Sequence, residues 1–391
     1  MSYRIYSVTS SAARSELFVK DINHEREKVK KDYSKIEITE ELIHKLPKTE
    51  LHCHLDGSCR VQTLIELAAE QKVKLPFDDV EKLREHLEVG DKAKNLGDYL
   101  KGFAVTLSVM QEPKAIERIA FELAEDAAKE NVRYLEVRYS PILHINKGMR
   151  LTEINDAVIR GLSKAESKYN IKTGIIVCGM RSINPETSLR LAEMTVAYKT
   201  RKHMAFDLAG QEDGYPAKDH QEAFALILKN NVNVTAHAGE AYGPDSIKQA
   251  IHDCGAHRIG HGTRLIEDGD LLNYVNDHRI PIEICLSSNV QTKAVKDFKS
   301  HPLRIYYDYG LRVTINTDNR LMSATTVTKE IYLAAKTFNF NFDDVCNIII
   351  NGFKSAFLPY RDRVVLLNEA IAELQTYGFE STYIDDKAAA M

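Results

Sequence analysis

The sequence contains neither a long apolar run nor a recognisable export signal. Its longest apolar stretches, such as residues 348–350, are far shorter than the ~18 residues that a membrane-spanning helix needs. The N-terminus has no continuous apolar core of the secretory type, and its Arg and Ser content is only faintly similar to that of a transit peptide. These absences argue against a membrane protein and against a secreted one.

The chain also lacks a strong charge of either sign and closely spaced cysteines. It has 52 Lys and Arg residues against 56 Asp and Glu residues, a net charge of −4, so we expect no nucleic acid and no membrane surface as a partner. The six cysteines are scattered without a C-x-x-C pair, which favours free thiols in a reducing compartment. We therefore predict a soluble, cytoplasmic protein.

Strand-like and helix-like segments alternate along most of the chain. Apolar runs predict strands at 51–54, 132–139, 173–178, 204–208, 232–237, 258–261, 282–286 and 313–317. Helical periodicity lies between them, at 114–130, 152–168, 186–199, 219–230 and 245–253. Eight strands alternating with helices predict an α/β fold of the (β/α)₈ TIM barrel type, with extra N-terminal and inter-strand helices. An open, doubly wound parallel sheet is the alternative.

The composition changes at both ends of this pattern. Residues 1–45 are polar and charge-rich, which predicts an N-terminal arm or helical extension ahead of the core. Residues 46–380 are expected to form the single barrel, and 381–391 a flexible C-terminal tail. The sequence indicates no function for either end.

Four potential metal ligands stand where predicted strands end. His52 and His54 are two residues apart in a strand, so both side chains point to the same face and into the barrel mouth. His237 and Asp318 end two other strands, and the carboxyl ends of barrel strands share one rim. Three imidazoles and one carboxylate suit Zn²⁺ better than Mg²⁺ or Ca²⁺, which prefer oxygen ligands. The set therefore predicts a zinc-like site.

A candidate base and a candidate acid lie at the same rim. A metal ion lowers the pKa of a water molecule that it binds, and the hydrolysis then needs groups that orient the water and protonate the leaving side. His261, at the end of the sixth strand, is the candidate orienting base, and Glu240, three residues after His237, is the candidate acid. Without the other residues at this rim, Glu240 could be interpreted as a surface glutamate, and His261 as a helix-cap or core histidine.

Seven segments together resemble one enzyme family. They are LPKTELHCHLDGS (46–58), YLEVRYSP (134–141), FDLAGQE (206–212), TAHAGE (235–240), RIGHGTRL (258–265), CLSSN (285–289) and TINTDN (314–319). In this order they resemble adenosine deaminase, the purine branch of the metal-dependent amidohydrolase superfamily, from about residue 46 to about residue 355. The resemblance implies hydrolytic deamination of adenosine and 2′-deoxyadenosine at purine C6 by a metal-activated water, giving inosine and ammonia.

The resemblance also assigns roles to individual residues. It implies that one Zn²⁺ per chain is bound by His52, His54, His237 and Asp318. Glu240 matches the proton donor to purine N1, and His261 matches the residue that orients and helps to deprotonate the water.

Three more positions match contacts to a small-molecule purine nucleoside. Asp56 matches the partner of a ribose hydroxyl, and the backbone N–H of Gly210 matches the donor to purine N3. Asn319 stands where many members of the family have Asp, opposite the acceptor N7. An Asn amide always has an N–H to donate, so we expect Asn319 to be compatible with purine binding, with a different pH dependence.

Several related functions remain as alternatives. Binuclear amidohydrolases usually have a carboxylated lysine at the end of strand four, but Lys202 lies at the other end, which favours one metal. Adenine deaminases tend to have Glu-Gly where this chain has Asp56-Gly57, which favours a nucleoside over the free base.

Modified 6-aminopurine nucleosides are alternative substrates. An AMP deaminase would need a cluster of basic residues that binds phosphate, and the sequence shows none that is convincing. An inactive nucleoside-binding relative is the alternative from another class.

One apolar stripe has two interpretations. Leu96, Tyr99, Leu100 and Phe103 recur at helical spacing. In position they resemble the helix that gates the pocket of the family, but such a stripe equally fits a helix that packs on the barrel.

Overall fold

Eight parallel strands form a nearly closed barrel in this computed structural model, which describes residues 36–90 and 92–380. They are β1 Lys48–His54, β2 Val132–Tyr139, β3 Lys172–Met180, β4 Met204–Ala209, β5 Asn233–Ala238, β6 Arg258–His261, β7 Ile282–Ile284 and β8 Val313–Ile315. Each strand pairs with the next one in the chain, whereas in a doubly wound sheet the spatial order of the strands differs from their order in the chain. The predicted TIM barrel is confirmed.

The last strand is joined to the first through a single bridge. Asp318, three residues beyond β8, pairs with Cys53 of β1. The Asp318 N–H donates to the carbonyl of His52 at 2.8 Å, and the His54 N–H donates to the carbonyl of Asp318 at 2.7 Å. These bonds place the predicted ligands of β1 and Asp318 side by side.

Helices precede and separate the strands, as predicted. The α-helices are Glu40–Lys45, Val61–Gln71, Val80–Leu87, Leu96–Tyr99, Phe103–Val109, Pro113–Lys129, Leu151–Glu166, Pro185–Tyr198, Gln221–Lys229, Pro244–His252, Gly269–Asp277, Leu286–Gln291, Leu303–Asp308, Val327–Phe338, Phe342–Ser355 and Tyr360–Thr376. The five helical segments predicted from periodicity each correspond to one of them, with small differences at the ends. Five helices between β1 and β2 form a long insertion.

Helix Pro113–Lys129 illustrates how the sequence determines these elements. Proline at its first position has no N–H to leave unpaired and has the φ of a helix. Its residues Ile116, Ile119 and Leu123 recur at helical spacing and are all buried. Helix Leu151–Glu166 packs closely on it at Gly161, where a Cβ would lie 2.3 Å from the Glu117 carbonyl oxygen.

The seventh strand is shorter than predicted. It ends at Ile284, and a short helix begins at Leu286; β8 likewise ends early, at Ile315. The expectations of strands over 282–286 and 313–317 were therefore each wrong for the last two residues. An apolar run by itself does not distinguish the end of a strand from the start of a buried helix. The early turn brings Ser288 and Asn289 to the barrel mouth.

The expectations for the two ends of the chain stay predictions. Most of the predicted arm 1–45 and the predicted tail 381–391 lie outside the described residues. Across residues 36–90 and 92–380, no helix combines the length and the hydropathy needed to cross a membrane.

Candidate active site

Four side chains from three parts of the barrel converge at its mouth. His52 and His54 come from β1, His237 from β5 and Asp318 from the loop after β8, and their ligand-type atoms all lie within 4.8 Å of one another. The Nε2 atom of His237 is 3.1 Å from Nε2 of His52 and 3.1 Å from Nε2 of His54. Asp318 Oδ1 is 3.4 and 3.3 Å from the same two histidine nitrogens.

Three of these side chains have a second partner that fixes their orientation. His52 Nδ1 lies 2.8 Å from Glu283 Oε2, and His237 Nδ1 lies 3.0 Å from Asp207 Oδ2. Ser288 Oγ donates to Asp318 Oδ2 at 2.6 Å. An imidazole that donates its Nδ1–H to a carboxylate turns the lone pair of Nε2 towards the cluster, as metal ligands require.

Two buried arginines neutralise the supporting carboxylates. Arg138 donates to Glu283 at 2.8 Å and to Asp207 at 3.2 Å, while Arg258 Nε donates to Glu283 Oε1 at 2.6 Å. Although burial alone would raise the pKa of Glu283, Arg138 and Arg258 hold it well below its usual range. Breaking such a buried network would leave an unpaired charge, at a cost of about 3–5 kcal/mol.

The donor set fits a divalent metal ion of the zinc type. Three imidazole nitrogens and one carboxylate oxygen already converge, and zinc is bound by nitrogen and carboxylate ligands of this kind. His52, His237 and Asp318 already have their outer hydrogen bonds inside the protein. The chain therefore has both the ligands and the support that a bound ion needs.

Glu240 and His261 lie next to each other beside this cluster. Glu240 Oε2 is 3.6 Å from His261 Nε2, and both side chains are buried. Burial, followed by the nearby charges of Asp318 and Glu212, raises the pKa of Glu240 well above its usual range. Glu240 Oε1 accepts no hydrogen bond from the described residues. Burial therefore favours the protonated form of the Glu240 carboxyl group.

Glu212 holds the turn that carries Glu240. Its carboxylate accepts hydrogen bonds from the backbone N–H groups of Gly239, Glu240, Ala241 and Tyr242, at 2.6, 2.9, 2.6 and 3.1 Å. Glu212 lies in the segment FDLAGQE, and no role for it was predicted from the sequence. A carboxylate two residues after the Gly of FDLAG was the available signal.

Two of the predicted site residues have an unusual backbone conformation. His261 has φ of 64° and Asp318 has φ of 62°, in the left-handed region that non-glycine residues rarely occupy. Such a conformation costs about 1–3 kcal/mol and persists where the surroundings fix it, which is most often at functional sites. In both cases the chain turns sharply as it leaves a strand, and the side chain lies at the cavity.

A cavity of about 200 Å³ opens beside the cluster. All predicted site residues other than the fully buried His52 line it: His54, Asp56, Gly210, His237, Glu240, His261, Asp318 and Asn319. Leu96, Tyr99, Leu100 and Phe103 line it as well, so the apolar stripe borders the pocket. A larger and more open cavity, of about 620 Å³, lies elsewhere and is lined by mixed acidic and basic side chains.

Two of the three predicted substrate-binding residues, Asp56 and Asn319, have a side-chain oxygen atom that is unpartnered among the described residues. Neither Asp56 Oδ1 nor Asn319 Oδ1 has a hydrogen-bond partner in the described part of the chain, and burial raises the pKa of Asp56 to about 6. A Cβ on Gly57 would lie 1.9 Å from Asn319 Oδ1, so glycine is required for their close approach. Gly210 has φ of 91°, a conformation that suits glycine.

Comparison with known proteins identifies similar chains over most of the sequence. The family model described as adenosine deaminase matches residues 47–373. A probable adenosine deaminase of Dictyostelium discoideum is 43% identical over 356 residues, which are 90% of this chain but 46% of that protein, so the chain spans less than half of its length. The adenosine deaminase of Mycobacterium avium is 39% identical over 85% of this chain and 96% of its own.

A solved structure is similar at the level of the fold and of the sequence. It is the adenine deaminase of Arthrobacter aurescens, with a TM-score of 0.79 and 25% identity over 84% of this chain and 99% of that one.

Proposed function

Because this chain belongs to the adenosine deaminase family, we propose that it hydrolyses adenosine and 2′-deoxyadenosine at purine C6 to give inosine, or its 2′-deoxy counterpart, and ammonia. One observation carries the proposal. Glu240, a buried carboxyl group whose pKa is raised by burial, lies beside a cluster of three histidines and an aspartate, in a cavity that Asp56, Gly210 and Asn319 also line.

In this proposal the cluster would hold one zinc ion per chain. The ligands would be His52, His54, His237 and Asp318. A zinc ion in such a site supplies Lewis acidity and lowers the pKa of bound water to ~7. Asp207 and Glu283 support the site by keeping the Nε2 atoms of His237 and His52 turned towards it.

Glu240 is the proposed proton donor to purine N1. Aromatic C6 resists attack by a nucleophile, and a proton placed on N1 makes this carbon electrophilic. Burial raises the pKa of Glu240, which favours the protonated form that this role needs. The bond from Glu240 strengthens as C6 becomes tetrahedral, so it stabilises the transition state more than the planar substrate.

The remaining site residues are proposed to orient the reactants. His261 faces Glu240 across 3.6 Å and would orient the attacking water there. Asp56 would accept a hydrogen bond from a ribose hydroxyl, because its Oδ1 atom is free in the described part of the chain. The Gly210 N–H would donate to N3, and the Asn319 amide to N7.

A second candidate substrate is the free base adenine. The solved structure of an adenine deaminase, at 25% identity, is the observation that favours it. Against it stands the Oδ1 atom of Asp56, unpartnered among the described residues, because adenine, having no ribose, would leave this atom without a partner. Modified 6-aminopurine nucleosides remain a further possibility for the same cavity.

Two further features agree with an active intracellular enzyme. The presence of Glu240 and of all four ligand residues around one cavity is unexpected for an inactive nucleoside-binding relative. All six cysteines are buried free thiols, which suits the reducing cytoplasm that we propose as its location.

The test follows the purine ultraviolet absorbance of the zinc-loaded protein with adenosine, 2′-deoxyadenosine and adenine side by side. We expect kcat/KM for adenosine to exceed that for adenine by ~10²-fold or more, since a site built to bind a hydroxyl rejects a ligand that lacks it. Asp56→Ala should remove most of this preference, and Asp277→Ala, at an exposed position, should keep it. Equal rates on adenosine and adenine would remove the nucleoside assignment, and no turnover of any of the three would remove the proposed function.

A further inference from the structure

A line of hydrogen bonds runs from the backbone to the side of His261 that faces away from Glu240. The Leu303 N–H donates to His301 Nδ1 at 3.1 Å. His301 Nε2 lies 3.1 Å from Asn289 Oδ1, and Asn289 Nδ2 lies 3.0 Å from His261 Nδ1. All three side chains are buried, so the protein itself must satisfy these atoms.

The direction of this line follows from its first member. A backbone N–H can only donate, so Nδ1 of His301 must be the acceptor. Burial lowers the pKa of His301 to about 3, so the ring is neutral at physiological pH. A neutral imidazole carries one hydrogen, and that hydrogen is therefore on Nε2 of His301, which donates it to Asn289 Oδ1.

The same reasoning fixes the amide of Asn289. If the amide were turned over, its NH₂ group would face the Nε2–H of His301, and two donors would meet in a buried place. With the amide as observed, Asn289 Nδ2 donates to Nδ1 of His261. That nitrogen must then be an acceptor and carries no hydrogen, so the single hydrogen of the His261 ring is on Nε2.

We propose that Asn289 and His301 are positioning residues that hold neutral His261 with its hydrogen on Nε2, directed at the cavity, so that His261 donates a hydrogen bond there. The hydrogen-bond geometry stands by itself, whereas its catalytic consequence rests on the proposed function. His301 contributes through Asn289, and Asn289 contributes through His261. Neither Asn289 nor His301 lines the cavity.

This arrangement narrows the role of His261. Its Nε2 atom has no hydrogen-bond partner among the described residues and lies 3.6 Å from Glu240 Oε2. An Nε2 atom that carries hydrogen has no lone pair with which to take a proton. The proposal therefore keeps the orienting role that the sequence suggested for His261 and replaces its role in deprotonation with donation to the attacking oxygen.

The first experiment measures the tautomer directly. The zinc-loaded protein is labelled with ¹⁵N in its 14 histidines, and the signals of His261 are identified by their loss in His261→Gln. We expect an imine-type nitrogen shift at Nδ1 and a protonated-nitrogen shift at Nε2. The opposite tautomer at His261 would overturn the proposal. Because this measurement needs no turnover, it separates a failure of the proposal from a failure of the proposed function.

The second experiment reverses the direction of the hydrogen bond between residue 289 and His261, with a substitution of nearly equal shape. In Asn289→Asp the carboxylate can only accept, so we expect the hydrogen of His261 to move to Nδ1. The value of kcat should then fall ~10- to 100-fold, the range typical of supporting hydrogen bonds, with a smaller change in KM. An unchanged tautomer in this variant would also overturn the proposal.

The matched control is Asn155→Asp. Asn155, in helix Leu151–Glu166, is equally buried. It accepts a hydrogen bond from the Tyr139 hydroxyl and does not line the cavity. It should leave the His261 signals and kcat in place. If Asn289→Asp does not fold, the spectrum of the unsubstituted protein still decides between the two tautomers.

Discussion

The cavity has two walls of different construction. The metal face consists of His52, His54, His237 and Asp318, at strand ends of the barrel. The apolar wall consists of Leu96, Tyr99, Leu100 and Phe103, on short helices inserted between β1 and β2. The metal face is tied into the barrel by hydrogen bonds to Glu283, Asp207 and Ser288, whereas the apolar wall depends mostly on packing.

The difference in support suggests a division of labour. Helices of four and seven residues are too short to be stable by themselves, and in the apolar wall only the Tyr99 hydroxyl has a side-chain hydrogen bond, 2.8 Å from Ser323 Oγ, that the described residues show. Segments of this kind adapt or move more readily than barrel strands. We therefore expect the metal face to determine the rate of reaction and the apolar wall to determine the affinity for the substrate.

The sharpest test of the metal face is His237→Ala. It removes one of the four proposed ligands and leaves the buried carboxylate of Asp207 without its histidine partner, so we expect metal and deaminase activity to be lost together. Elemental analysis of the purified protein should fall from close to one equivalent of metal to nearly none. The exposed His252→Ala is the control. Two metal equivalents with full activity in the unsubstituted chain would instead indicate a binuclear site.

A smaller loss is expected from Glu240→Gln. This change keeps the shape of the side chain and removes the proton that Glu240 is proposed to donate, so kcat should fall ~10²- to 10⁴-fold with metal content and fold intact. Steady-state kinetics with adenosine, together with elemental analysis, measure both. Glu222→Gln, at an exposed position, serves as the matched control. Activity close to normal in Glu240→Gln would eliminate the acid role.

The smallest effect is expected at the apolar wall. Phe103→Ala removes apolar surface from the cavity, and a loss of about 1.4 kcal/mol of binding free energy would raise KM ~10-fold. We expect kcat and metal content to change little, and the same kinetic and elemental measurements check this. Phe77→Ala, where the ring is 41% exposed, is the control. If Phe103→Ala lost its metal or most of its kcat, the division between the two walls would be wrong.

The barrel and the grouping of the proposed metal ligands at its mouth could be predicted because they depend on local patterns. Alternating strands and helices determine the fold, and residues at strand ends necessarily share a rim, which is why His54, His237 and Asp318 could be grouped from sequence. The error at Leu286 arose because an apolar run was read as strand to its end. The apolar stripe from Leu96 stayed undecided, since its periodicity says only that one face is apolar.

The supporting residues were harder to predict because their partners are distant in sequence. Glu283 lies 231 positions from His52, and no spacing rule connects them. Its charge within an otherwise apolar strand was a signal that something opposite must neutralise it. In the sequence, Asn289 and His301 are residue types that are common in surface turns. Only the short helix that begins at Leu286 directs Asn289 at His261.

The bridge between Asp318 and Cys53 has a consequence for how the protein matures. In the proposed site, β1 contributes the ligands His52 and His54, and Asp318 joins them only when the segment after β8 pairs with β1. A polypeptide whose barrel has not yet closed would have the histidines of the cluster without the carboxylate of Asp318. Metal binding would thus follow closure of the barrel, and the bound ion would then stabilise the contact between β1 and the segment after β8.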